Sequence, residues 1–184
     1  MMIEIIRTRR AVYPTQYNLE EITKAELNII LEAANWAPTH RRTEPWRFKV
    51  FYGESQIHLG KFLAEKYKET TEKYAEFKYS KILDKTKQSG CIIAICMQRD
   101  PNASVPEWEE IAATAMAVQN MWLTAHSMNI GAYWSSPAYK EFLGEHIPLA
   151  KGEQCLGFFY MGKYDGQLPP GERKTSIEEK TSWI

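Results

Sequence analysis

"NWAPTHRRTEPWRFKVF", residues 35–51, contains a helix end, a short polar loop and the start of a strand. Pro38 and Pro45 fix the backbone on both sides of "THRRTE", and Trp36 and Trp46 stand just outside them. Ahead of the loop, "TKAELNIILEAANW" (23–36) reads as a helix. Thr23 and Glu26 have the spacing of a capping box, and Leu27, Ile30, Leu31 and Ala34 follow one helical face. Pro38 ends it, because proline disfavours the helical conformation in the residue before it. Beyond the loop, "WRFKVFY" (46–52) alternates and is rich in aromatics, which reads as a strand. Charge and donors on so rigid a scaffold suit a flat, polar, anionic ligand. An ordinary surface loop with solvated arginines has the same composition.

The chain has 184 residues, which fits a single domain over 1–184, and 44% are hydrophobic, enough for a core. The 23 basic and 23 acidic residues cancel. A neutral chain has no general electrostatic reason to bind nucleic acid or an anionic membrane. The start, "MMIEIIRTRR", lacks the continuous apolar stretch of a signal peptide, and no run of 18 apolar residues predicts a membrane span. Cys91, Cys96 and Cys155 are odd in number and lack CxxC spacing. They read as reduced core residues in a cytoplasmic protein. If "CIIAIC" is a strand, the odd separation of Cys91 and Cys96 puts them on opposite faces.

Working outward, "MMIEIIRTRRA" (1–11) predicts a short helix with arginines near its end. Residues 55–87 are highly charged and predict a solvated helix or helix pair. "CIIAICM" (91–97) is an unbroken apolar run, as in a buried strand. "PEWEEIAATAMAVQNMWLTAHSMNIG" (106–131) predicts a long central helix, with Pro106 at its start and Gly131 just past its end. "AYWSS" (132–136) and "EQCLGFFYMGKY" (153–164) predict strands, and "AYKEFLGEHI" between them a short helix. Helices and strands alternate irregularly, so the fold class is α+β.

Several chemistries find no support. No GxGxxG or GxSxG occurs, and "GFFYMGKY" (157–164) only approaches a P-loop, ending in Tyr164 with a strand-like interior. His40, His58, His126 and His146 show no metal-ligand spacing, so no metal site is expected. Basic clusters lie at both ends of the chain. "RTRRAVY" (7–13) suits a phosphate, although basic residues also favour any helix C-terminus. "ERKTSIEEK" near the C-terminus is equally ambiguous.

The order of these features resembles the FMN-dependent nitroreductase family over essentially the whole chain, and within it the short, single-domain members. The family pattern reads roughly Arg-Arg-Ser-x-Arg, then Ala-Pro-Ser-x-x-Asn-x-Gln-Pro-Trp. Arg9 and Arg10 match the first pair; Ala11 replaces the serine, and Tyr13 stands where a basic residue is common. Ala37, Pro38, Pro45 and Trp46 match the second part, with Thr39 for serine, Arg42 for asparagine and Glu44 for glutamine. His40 is frequent in short members. "GAYW" (131–134) and "RKTSIEE" complete the order.

The resemblance implies a central, mostly antiparallel sheet flanked by helices, in an intertwined homodimer with FMN bound between the chains. It implies that Arg9, Arg10, Ala11, Tyr13, His40, Arg42, Tyr133, Trp134, Ser135 and Arg173 approach the cofactor. Arg9 and Arg173, or Lys174 in its place, would meet the phosphate. Glu44 can accept from the flavin N3–H but, ionised, cannot donate, and Arg42 supplies a donor. The implied chemistry is a ping-pong relay of hydride from NAD(P)H through flavin N5 to a small acceptor such as a nitroaromatic or quinone. It needs no catalytic side chain. Two other functions keep the scaffold: an FMN-binding sensor or store without NAD(P)H turnover, and a specialised flavoenzyme such as a dehalogenase.

Overall fold

A computed structural model describes residues 2–18 and 20–184. Its sheet is built from β1 (Trp46–Phe51), β2 (Cys91–Gln98), β3 (Ile130–Ser135) and β4 (Glu153–Lys163). Their spatial order is β1-β2-β4-β3, and every neighbouring pair is antiparallel. The helices are α1 (Met2–Thr8), α2 (Lys24–Asn35), α3 (Glu54–Thr70), α4 (Glu76–Gln88), α5 (Glu107–Ser127) and α6 (Leu143–His146).

The sheet divides the core into two layers. On one face, Ile93, Ile95, Ala132, Phe159 and Met161 pack with Leu27, Ile30 and Ala34 of α2 and Ala117, Val118 and Met121 of α5. On the other, Ile92, Ala94, Tyr133, Phe158 and Tyr160 pack with Leu59, Leu63 and Tyr67 of α3 and Ile82 of α4. β2 is covered on both sides, which explains its unbroken apolar run. Cys91 and Cys96 fall on opposite faces, and all three cysteines are free and buried. Trp46 is buried in the first layer.

The capping box of α2 forms as read: Thr23 Oγ1 accepts from the Glu26 N–H at 3.2 Å, and Glu26 accepts from the Thr23 N–H at 2.7 Å. Two boundaries differ from expectation for one reason. α1 stops at Thr8, because the backbone after Arg10 pairs with β3: Ala11 bridges Ala132 in parallel, and the Val12 N–H donates to the Ala132 carbonyl at 3.1 Å. The strand that receives it begins at Ile130, two residues earlier than the pattern indicated. α5 therefore ends at Ser127, and the left-handed residue beyond it is Asn129 (φ 56°), not Gly131. The charged stretch is a pair, α3 and α4, and "AYKEF" (138–142) is a 3-10 turn leading into α6.

Candidate functional site

Two glycines position the N-terminal segment. Gly131 and Gly162 are paired across β3 and β4. A Cβ on Gly131 would lie 2.7 Å from Val12 Cβ, and one on Gly162 2.3 Å from the Tyr17 ring. The segment thus lies directly on the sheet. Tyr17 locks it there, its hydroxyl lying 2.8 Å from the Val12 carbonyl and 3.0 Å from the Tyr160 carbonyl.

This docking presents Arg9, Arg10 and Tyr13 beside β3. The Arg9 guanidinium lies 4.4 Å from the centre of the Trp122 ring of α5. Arg10 donates to the carbonyls of Arg7, Arg9 and Pro169, the last at 2.9 Å, so it clamps the C-terminal tail to the N-terminal segment. The tail brings Arg173 close: burial first, then the charges of Arg10 and Arg173, lower the Arg9 guanidinium below its ordinary value. Among the described residues, none of these three arginines has a carboxylate partner. His126 accompanies them, 2.9 Å from the Thr8 hydroxyl, and burial, then Arg9 and Arg10, lower its pKa. Arg9 and Arg173, with no acid partner among the described residues, have the charge and donors that suit an anion with several oxygens.

Beside the cations lies an aromatic platform. The exposed Tyr13 ring packs 4.9 Å from Tyr133, which stacks 5.1 Å from Tyr160. Burial raises the Tyr133 phenol, while a hydrogen bond with Ser135 opposes the shift. Tyr133 and Ser135 share one face of β3 and Trp134 occupies the other, by the two-residue period of a strand. The Trp134 indole lies against Gly157 (φ 146°), at the bulge between β2 and β4, and its N–H donates to the Leu156 carbonyl at 3.3 Å. The three predicted neighbours on β3 therefore point to two different layers.

Sequence reasoning missed Lys85. Its ammonium lies 5.5 Å from the Tyr160 ring centre and 6.0 Å from that of Tyr133, with no carboxylate partner among the described residues. Burial, then the charge of Lys81, lowers its pKa. The residue sat unnoticed in a charged stretch. The available signal was its place three residues after Ile82 and one before Thr86, the buried residues of α4.

The loop 39–44 lies elsewhere. His40 Nδ1 is 2.5 Å from the Glu109 carboxylate in the first turn of α5. Arg41, Arg42 and Glu44 adopt positive φ angles of 50°, 55° and 43°. Such left-handed turns are uncommon in residues other than glycine and concentrate at ligand sites. Arg42 and Glu44 are exposed. Glu109 and Trp122 are separated by about 20 Å along α5, at ~1.5 Å per residue, so the loop and the arginines occupy opposite ends of one helix. An exposed apolar stripe of Trp108, Ile111 and Met116 runs along the N-terminal half of α5. No helix among the described residues is long and apolar enough to cross a membrane.

Comparisons with known proteins agree with this architecture. The Nitroreductase family profile matches residues 6–163. YfhC of Bacillus subtilis (strain 168), provisionally named an NAD(P)H nitroreductase, is 27% identical over 96% of this chain and 91% of its own. A nitroreductase-like family protein from Bacillus cereus superposes with a TM-score of 0.83 at 27% identity, covering 100% of this chain and 96% of that one. A nitroreductase with bound FMN from Bacteroides fragilis NCTC 9343 shares the fold, with a TM-score of 0.74 at 18% identity over 100% and 98% of the two chains. From residue 6 to residue 163, this chain belongs to the nitroreductase family.

Proposed function

We propose that the chain binds FMN and uses it to pass electrons from NAD(P)H to a small acceptor such as a nitroaromatic or quinone. The observation that carries this reading is the triad of Arg9, Arg10 and Arg173, with no carboxylate among the described residues, beside the Tyr13–Tyr133–Tyr160 platform. Bound FMN supplies a two-electron centre that accepts hydride at N5 and later gives it up. Arg9 and Arg173 hold its phosphate, and Arg10 keeps the tail that carries Arg173 in place. Ala11 and Tyr13 border the ring system, with Tyr133, Ser135 and the backbone of Trp134 at its edge. Lys85, beside the Tyr133 and Tyr160 rings, would place a positive charge near the ring system, which would favour the anionic reduced flavin.

His40 and Arg42 reach the same cofactor from a second copy of the chain. An antiparallel pairing along α5 brings the loop of one copy beside the arginines of the other, and makes two equivalent sites. The exposed stripe on α5 supports this homodimer. Three free, buried thiols suit a reducing compartment, which supports a cytoplasmic location. The test is absorbance under anaerobic conditions. The purified protein is expected to be yellow and to bleach on addition of NADH or NADPH. A yellow protein inert to both is a sensor or store, and a protein that takes up no FMN overturns the reading.

A further inference from the structure

A cavity of about 260 Å³ opens beside Lys85, between α3, α4 and the turn at 138–142. Its walls are Tyr67, Lys78, Lys81, Ile82, Lys85 and Tyr139: three cations, two aromatic rings, one aliphatic side chain and no acid. Lys78, Lys81 and Lys85 follow i, i+3, i+7 spacing on α4, so they share one face. None has a carboxylate partner among the described residues, although the whole chain is neutral. Tyr67 and Tyr139 meet edge to face, 6.3 Å between centroids. Ligand pockets commonly measure about 300–1,000 Å³, so this one suits a single ring and is too small for a dinucleotide.

We propose that this cavity takes a small aromatic carboxylate as the acceptor, and that Lys78 and Lys81 select it by charge while Tyr67 and Tyr139 contact its ring. Its role as acceptor rests on the FMN reading above; its binding does not. For a nitro acceptor, two electrons arrive as hydride from the reduced cofactor and one proton comes from solvent. One N–O bond breaks, its oxygen leaves as water, and the nitro group becomes nitroso.

The test compares 4-nitrobenzoate with 4-nitrobenzamide, its neutral counterpart of similar shape, by calorimetric titration of the purified protein with and without added FMN. The carboxylate is expected to bind about tenfold more tightly, as one charge-assisted contact allows, and the preference is expected to weaken with salt. The Lys78→Gln/Lys81→Gln double variant is expected to abolish the preference and leave amide binding unchanged. Both lysines are exposed, so the variant is expected to fold. Equal binding of the two ligands by the unmodified protein, or a preference retained in the variant, overturns the proposal. Acetate binding as tightly as 4-nitrobenzoate overturns its aromatic half. A protein that binds no FMN but keeps the charge preference removes the acceptor role and leaves the binding site. With FMN bound, kcat/KM for the two nitro compounds is expected to follow the same ratio.

Discussion

Gly131 and Gly162 are register partners across β3 and β4, and the bare patch they leave is filled by Val12 and Tyr17. The N-terminal segment can lie on the sheet only because neither position carries a side chain. Every cation proposed for the phosphate hangs from that contact: Arg9 and Arg10 lie just before Val12, and Arg10 in turn holds the tail.

Gly162→Ala is therefore expected to destabilise the fold by about 1–3 kcal/mol, the usual cost of overpacking. The new methyl would meet the body of the Tyr17 ring and its Cβ, not a flexible tip. In a Tyr17→Gly background both the ring and the Cβ are gone, and the added cost of the glycine change is expected to fall close to zero. A double-mutant cycle from urea titrations measures this coupling; additive effects would place the strain elsewhere.

Buried phenols predict the alkaline behaviour. Burial, then the charges that neighbouring tyrosines would carry, raises Tyr17 and Tyr160 well above the ordinary phenol value. Below pH ~10, where a free tyrosine is neutral, these groups cost nothing. Above it the unfolded chain loses protons that the folded chain retains, so the unfolded state is favoured as pH rises. Each retained proton steepens the loss of stability by about 1.4 kcal/mol per pH unit. Tyr160→Phe keeps the stacked ring and removes one phenol, so its unfolding free energy is expected to fall less steeply between pH 10 and 11. Identical slopes for the two proteins would show that Tyr160 ionises equally in both states.

The sequence carried the fold well and the site unevenly. Period-3.6 spacing marked α2, alternation marked β1 and an unbroken apolar run marked β2, because each buries one side or both against the sheet. The end of α1 was not visible. Ala11 leaves the helix to pair with Ala132, more than a hundred residues away, and no local preference records such a partner. Gly131 misled for the same reason: a glycine after a helix resembles a cap, whereas this one makes room for Val12. Lys85 was hidden because a lysine beneath tyrosines and a lysine in water look alike in a charged helix. The separation of His40 and Arg42 from Arg9 appears only once the length of α5 lies between them.

The stripe on α5 predicts the assembly. Ile111 and Met116 are exposed in the single chain, so a charge at either is expected to cost the monomer less than about 0.5 kcal/mol. In a dimer packed along α5 the same charges would be buried without partners. Ile111→Glu/Met116→Glu is expected to give a folded monomer by light scattering, with circular dichroism unchanged. Because the cofactor would be shared between copies, that monomer is also expected to lose FMN on gel filtration. A dimer that survives the double substitution would put the interface on another face.

The arginines divide their work, and two variants separate it. Arg9 has no carboxylate among the described residues and stacks on Trp122, so its donors remain available to a ligand. Charge-assisted bonds contribute about 1.5–3 kcal/mol each. Arg9→Ala is expected to weaken FMN binding about tenfold or more, with little change for riboflavin, which lacks the phosphate. Arg10 instead spends its donors on the carbonyls of Arg7, Arg9 and Pro169. Arg10→Ala is expected to free the tail, so that brief trypsin treatment cuts at Arg173 or Lys174 sooner than in the unmodified protein. FMN binding should then weaken too, through the displaced Arg173, and again more than riboflavin binding. The order of events distinguishes the roles: in Arg9→Ala the tail stays protected while FMN is lost, and in Arg10→Ala both change together. Equal losses of FMN and riboflavin in Arg9→Ala would remove the phosphate from this corner of the molecule.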